Sequence, residues 1–331
     1  MKAAKLFGVG DLRTVDVPRP EPGPGDVLVR VEAAGVCGTD RHILKGEFPS
    51  RPPVILGHEL SGIVVARGDA VAGIAIGDRV TIDPNITCGT CPACRVGRVN
   101  LCHNLSAIGV HRDGGFAEYC LAPATQAVAL PAKLDPLHGA LCEPLACCIH
   151  GTDIGAPRPG ERAIVIGGGV IGLLTAQLLR NAGAEVMVLT RQKDKRDLAL
   201  SLGAAATAAT LDEALALWPE GGDLVIECAG VPETVSAAQR LASRGGRIVV
   251  LGVLPAGAKV AIEPFDLLVR EIQLHHSFLN PFTQGRAARM IADGSIRVAP
   301  LITRTIALSE AAAAIAAPPA PGEVRVVAVP G

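Results

Sequence analysis

The chain is poor in aromatic side chains: six Phe, one Trp and one Tyr, 2% of its 331 residues. A platform that stacks the bases of single-stranded nucleic acid needs such rings, and too few are present to build one. The same shortage removes the material for an aromatic substrate box and favours a polar substrate. Net charge is also small, at a formal −1, and no Lys/Arg-rich run occurs. The electrostatic footprint of a nucleic-acid binder is therefore missing. The longest apolar stretch, 163–179, holds three consecutive glycines and Gln177, and it divides into strand, turn and helix better than it forms a membrane span. At the N-terminus Asp11 arrives before any apolar core of a secretion signal can form. Ten cysteines without such a signal point to a reducing, cytoplasmic setting, where thiols ligate metal more readily than they pair.

Four of those thiols form a C-x2-C-x2-C-x7-C run: Cys88, Cys91, Cys94 and Cys102. A tetrahedral zinc site needs soft, deprotonated ligands on a short, tightly turned loop, and this segment offers four with Gly89, Pro92 and Gly97 between them. A closed four-thiolate shell has no open position, so the expected zinc is structural. Nucleic-acid-binding zinc ribbons use the same ligands, and the cluster alone names no function.

The length suits about two domains. Up to about residue 150 the chain reads as β-rich, with short apolar runs at 27–31, 62–65 and 79–82 separated by Pro and Gly. From Gly160 strands alternate with helices. Strands are expected at 163–166, 185–189, 223–228, 247–251 and 272–275, and helices at 170–181, 193–202 and 233–242. That rhythm implies right-handed crossovers and a doubly wound parallel sheet. The tail carries two helices (283–293 and 309–316) and a strand (324–329), too little for a domain, so it is expected to return to the first one.

Gly167-Gly168-Gly169-Val170-Ile171-Gly172 fits G-x-G-x-x-G in the required strand–turn–helix context. This is the dinucleotide fingerprint, in which the helix N-terminus receives the pyrophosphate. The next strand ends at Thr190-Arg191, where an NAD-selective site usually carries Asp or Glu. A hydroxyl and nearby bases (Arg191, Lys193, Lys195, Arg196) suit a 2′-phosphate, so NADP is expected ahead of NAD. The expected cofactor-binding set is Gly167, Gly169, Val170, Ile171, Gly172, Thr190, Arg191, Arg196 and, at the end of a later strand, Leu251.

Three further segments carry ligand chemistry: CGTDRH at 37–42, GHELSG at 57–62, and CEPLACCIHG at 142–151. Together with the four-cysteine lobe, DGGFAEY at 113–119, GGGVIG and SFLNPFT at 277–283, they span essentially the whole chain. On these motifs the chain resembles the zinc-containing medium-chain dehydrogenase/reductase family, and within it the polyol (sorbitol-type) dehydrogenases. The resemblance implies an α/β fold with a GroES-like β-rich catalytic domain (1–149 and 283–331, zinc lobe about 86–105) and a Rossmann coenzyme domain (150–282). It implies two zincs per chain, one structural and one catalytic. For the catalytic zinc it implies Cys37, His58 and Glu59 as ligands, with Glu143 binding directly or through water. Thr39 would relay the substrate proton, with His42 as the outer member of the relay.

The implied reaction is oxidation of a secondary alcohol, a polyol or sugar alcohol, to a ketone with NADP or NAD, in a homo-oligomer (dimer or tetramer). Zinc as a Lewis acid acidifies the alcohol, Thr39 takes the proton, and nicotinamide takes the hydride. Ile43 and Ser277-Phe278 stand where animal sorbitol dehydrogenases carry a tyrosine and an Arg-Tyr pair, so two polar contacts to a hexitol are absent. Asn280 could supply one. A threonine-dehydrogenase-like oxidation of an amino-acid alcohol is the enzymatic alternative, and a non-catalytic NADP- or zinc-binding module the other. Cys120, Cys147, Cys148 and Cys228 read as small buried hydrophobes.

Overall fold

The computed structural model describes residues 1–330, which form two compact units. The first comprises Met1–Glu143, Pro281–Gly294 and the chain from Ile302 onward; the second comprises Pro144–Asn280 and Ser295–Leu301.

In the first unit the backbone runs through β1 (Asp26–Gly35), α1 (Gly38–Leu44), β2 (Glu59–Arg67), β3 (Arg79–Ile82), β4 (Tyr119–Pro123) and β5 (Ala127–Ala129). β1 is rich in Val and Ala and buried along most of its length, as a central strand should be. It pairs antiparallel with β2 on one side, in a register that sets Gly35 opposite Glu59. β4 also pairs with β1, and β3 joins β2 to β5. Val27, Val29, Val31, Leu60, Val64, Val80 and Ile82 share one aliphatic core with Phe116, which is fully buried.

α2 (Cys142–Gly155) carries the chain from the first unit into the second. The expected boundary at 149/150 falls inside this helix, and the division lies instead at 143/144. The reason is packing: the Cys148 thiol donates to the Ile171 carbonyl at 3.4 Å, and Gly151 and Gly155 lie flush against Leu251 and Leu224. There follow β6 (Arg162–Ile166), α3 (Val170–Asn181), β7 (Glu185–Leu189), α4 (Lys193–Ser201), β8 (Ala206–Ala208), α5 (Leu211–Leu217), β9 (Gly222–Glu227), α6 (Pro232–Leu241), β10 (Ala242–Val250) and β11 (Gln273–His276). All six strands are parallel, in the order β8-β7-β6-β9-β10-β11. The winding reverses between β6 and β9, which is where such sheets bind ligands, beyond the strand C-termini.

The tail adds α7 (Gln284–Ala292), β12 (Ile302–Ala307) and β13 (Arg325–Val329). β13 pairs with β1 and β12 with β13, so the tail completes a seven-stranded sheet in the first unit. Segment 295–301, expected with the first unit, belongs to the second. Gln177 holds it there, donating to the Arg297 carbonyl (3.2 Å) and accepting from its N–H (2.8 Å), while Asn181 donates to the Ser295 carbonyl. β12, α5 and α2 were not among the expected elements. β12 exposes five of its six residues at least partly on a polar pattern, Ile-Thr-Arg-Thr-Ile-Ala, which gives little apolar periodicity to read.

Among the described residues Phe116 is the one aromatic ring that is fully buried, and its neighbours are mostly aliphatic. Phe116→Ala should lower the stability of the first unit by about 3–5 kcal/mol through the cavity it leaves, and Phe116→Leu by distinctly less. Denaturant unfolding of the two variants checks this.

Candidate active site

The β1–β2 register does the first part of the assembly. Cys37 follows the end of β1 and His58-Glu59 opens β2, so pairing Gly35 with Glu59 brings residues far apart in sequence together. The ligand atoms of Cys37, His58 and Glu59 lie within 4.8 Å of one another. Gly35 must lack a side chain for this to happen, because a Cβ there would stand 2.3 Å from Glu59 Oε2.

Cys37 is also the N-cap of α1. Its Sγ accepts from the Thr39 N–H (3.5 Å), and its own N–H donates to Asp40 Oδ2 (2.9 Å). The other oxygen of Asp40, which is fully buried, lies 3.5 Å from His58 Nδ1. The contact is an ion pair and too loose for a hydrogen bond; it sets Nδ1 toward the carboxylate and leaves Nε2 for a ligand, the usual arrangement behind a metal-binding histidine. Burial by itself would lower the pKa of His58; the charges of Asp40 and Cys37 outweigh it and hold the ring well above the ordinary histidine value.

Glu59 is fully buried, and neither of its oxygens has a hydrogen-bond partner among the described residues. Its countercharge is Arg325 of β13, with Nη1 3.2 Å from Oε2. Arg325 is itself buried and donates to the Val36 carbonyl. Burial works against its charge, but Glu59, Cys37 and Glu143 together raise its pKa. A buried carboxylate with unused lone pairs beside a thiol and an imidazole is the donor set of a zinc ion that keeps an open position. The residues fit that metal.

Glu143 lies in the first turn of α2, is buried, and stands outside the Cys37–His58–Glu59 trio, where its charge reaches Arg325. The neighbouring Cys142 thiol is pushed up to about 12 by burial, which suits a packed hydrophobe and not a ligand. Cys120 and Cys228 are driven upward for the same reason. Thr39 and His42 are both partly exposed and three residues apart on one face of α1; His42 Nδ1 meets Glu47 Oε2 at 2.7 Å.

Cys88, Cys91, Cys94 and Cys102 also converge, with sulfur atoms within 4.8 Å of one another and Cys88 and Cys102 3.5 Å apart. A zinc tetrahedron with Zn–S bonds of about 2.3 Å has edges of about 3.8 Å. Asn85–Ile86 and Ser106–Ala107 pair antiparallel beneath the lobe. The N–H groups of Thr90 and Cys91 lower the Cys88 thiol to about 5, and those of Cys94 and His103 lower Cys91. Desolvation and the neighbouring thiols push Cys94 up to about 12. Four thiolates so close repel one another, and a divalent cation removes the conflict.

In the second unit Gly167 takes a left-handed φ of +111° straight after β6, and Gly172 packs so tightly that a Cβ would lie 1.9 Å from the Gly167 carbonyl oxygen. No side chain caps α3 at Gly169, so its first N–H groups face outward for a ligand, with Val170 and Ile171 in its first turn. Thr190 leans on Gly168, within 2.8 Å of where a side chain there would begin. Arg191 is exposed. Arg196 Nη1 donates to the carbonyls of Thr190 (2.9 Å) and Arg191 (2.7 Å), which ties it to the turn. Leu251 lies just beyond β10 and donates its N–H to the Glu227 carbonyl. Asp40, Arg325 and Glu227 escaped sequence reasoning. The capping spacing Cys37-x-x-Asp40 was a readable signal for the first, whereas Arg325 meets Glu59 only through sheet pairing.

Comparison with known proteins agrees with this architecture. Residues 23–132 match the alcohol dehydrogenase GroES-like domain, and residues 170–292 match the zinc-binding dehydrogenase domain. D-arabinitol dehydrogenase 1 of Uromyces fabae is 36% identical over 295 residues, covering 86% of this chain and 84% of the relative. L-threonine 3-dehydrogenase of Shewanella frigidimarina (strain NCIMB 400) is 34% identical over 324 residues, covering 94% of each. A zinc-binding dehydrogenase of Sinorhizobium meliloti 1021, solved bound to NADP, superposes with a TM-score of 0.97 at 56% identity over 99% of both chains. Fold and site thus define an oxidoreductase of the zinc-dependent alcohol dehydrogenase type. The chain belongs to the zinc-containing medium-chain dehydrogenase/reductase family.

Removing the guanidinium with Arg325→Met leaves Glu59 as an uncompensated buried charge when no metal is bound. The variant stripped of metal should be about 3–5 kcal/mol less stable than the equally stripped parent, measured by denaturant unfolding.

Proposed function

We propose that the protein oxidises a secondary alcohol of the polyol class to a ketone, with NADP preferred over NAD and two zincs per chain. The observation that carries this reading is the convergence of a half-buried Cys37 with buried His58 and Glu59, whose carboxylate has no hydrogen bond among the described residues to occupy it. When bound, zinc supplies Lewis acidity to an alcohol hydroxyl and nicotinamide accepts the hydride. Asp40 holds His58 in orientation, and Arg325 holds Glu59. Thr39 is assigned the substrate proton and His42 its passage to solvent, with Glu47 steadying the imidazole. Glu143 is assigned to hydroxyls or water beside the metal. The four-cysteine lobe is assigned a structural zinc, coupled to folding.

The NADP preference is supported by the absence of a carboxylate at the end of β7, by Thr190 and Arg191 there, and by the NADP-bound relative. D-arabinitol dehydrogenase among the relatives favours a polyol. The second reading, oxidation of L-threonine, is favoured by the threonine dehydrogenases among them. Self-association is supported by β11, the last strand of its sheet, with Phe265 and Leu268 strongly exposed nearby in sequence.

A panel of pentitols, hexitols, vicinal diols and L-threonine, each assayed with NADP and NAD, tests the reading. Turnover of a polyol with kcat/KM at least about tenfold higher for NADP is expected, and Arg191→Ala should cut that preference by about tenfold while sparing NAD. Turnover of L-threonine alone would replace the polyol assignment, and an NAD preference would remove the cofactor one.

A further inference from the structure

We propose that Glu227 is a positioning residue for the cofactor, tying together the three loops at the switch point of the parallel sheet. It closes β9, level with Ile166 of β6 on one side and Val250 of β10 on the other. The residue is completely buried. Its Oε1 accepts three hydrogen bonds, from the Ala229 N–H (2.7 Å), the Gly230 N–H (2.9 Å) and the Thr234 hydroxyl (2.8 Å). Its backbone carbonyl accepts two more, from the N–H groups of Leu251 and Gly252, both at 2.9 Å. One residue therefore gathers the loop after β9 and the loop after β10.

The space between those loops is set by what cannot fit in it. A Cβ on Gly252 would lie 2.6 Å from Glu227 Oε2 and 2.3 Å from the Gly230 nitrogen, and a Cβ on Gly230 would lie 2.6 Å from the Val253 carbonyl oxygen. Loop 228–230 in turn backs the fingerprint, because a Cβ on Gly167 would meet the Ala229 nitrogen at 3.2 Å. Oε2 has no hydrogen-bond partner among the described residues, so this side of the carboxyl acts as a wedge between glycine backbones. The carboxyl thus fixes how far the phosphate-binding turn stands from the loop after β10. Ligands of doubly wound sheets lie across that crevice, so this spacing governs cofactor affinity.

The inference concerns both cofactors equally, so it stands apart from the proposed NADP preference, which the wild-type ratio alone decides. The test is a titration of NADPH and NADH against the purified protein, following the fluorescence of the reduced nicotinamide, with Tm measured in parallel. Glu227→Ala should raise Kd for both cofactors about tenfold or more, because three donors lose a shared acceptor. Glu227→Gln keeps an oxygen for those donors and should stay within about threefold of wild type. The KM for the alcohol at saturating cofactor should not move. If Glu227→Ala does not fold, Thr234→Val and Gly252→Ala decide, with weaker binding of both cofactors expected from each. A lowered Tm with wild-type Kd in Glu227→Ala, or wild-type Kd in both substitute variants, would overturn the proposal.

Discussion

Glu59 is a fully buried carboxylate with no hydrogen bond to either oxygen among the described residues, and the first unit is organised around making that tolerable. A buried charge must be paired, and here the pairing is divided. Arg325 approaches from the far end of the chain, which requires β13 to lie against β1. The thiol of Cys37 and the imidazole of His58 lie within 4.8 Å of the carboxylate, a donor set that a cation would complete. Gly35 cannot carry a side chain, since it faces Glu59 across the β1–β2 ladder. A one-residue slip in that register would turn Glu59 to the opposite face of the sheet and dissolve the site.

Much of this was legible in the amino-acid order, and the rest was hidden for identifiable reasons. The four-cysteine lobe and the fingerprint are local, with their chemistry in consecutive or nearly consecutive residues. Helix Val170–Asn181 was readable to its ends because Gly169 and the apolar spacing mark it. Cys37, His58 and Glu59 were found through motifs, whereas their common location depends on a strand pairing that no short window contains. Arg325 could not be found at all: it reads as one base in a β-rich tail, and only the antiparallel pairing of β13 with β1 delivers it to Glu59. Arg196 was legible as a base beside the phosphate-binding turn, but its bonds from Nη1 to two backbone carbonyls were not, because they depend on how the turn folds back on the helix. Helix Cys142–Gly155 is buried on nearly every side, so its apolar residues form no single stripe at helical spacing by which a sequence reveals a helix.

The two units solve the same problem in different ways. In each, a buried carboxylate at the end of a strand organises residues from separate segments. Glu59 does so by charge, holding Arg325 and leaving lone pairs unused beside a thiol and an imidazole. Glu227 does so by hydrogen bonds, with three donors on one oxygen and two on its carbonyl. The first arrangement prepares a metal environment, and the second shapes a crevice. The four-cysteine lobe is a third device, in which N–H groups lower two thiols while desolvation and the neighbouring thiols raise a third.

The central claim, that Cys37, His58 and Glu59 hold a metal distinct from that of the cysteine lobe, is most directly tested by zinc content. Mass-spectrometric metal analysis should be made on wild-type protein and on Cys37→Ser, each purified with zinc present. The account predicts two zincs per wild-type chain and one in Cys37→Ser, with the fold retained. A single zinc in the wild type, unchanged in Cys37→Ser, would contradict it.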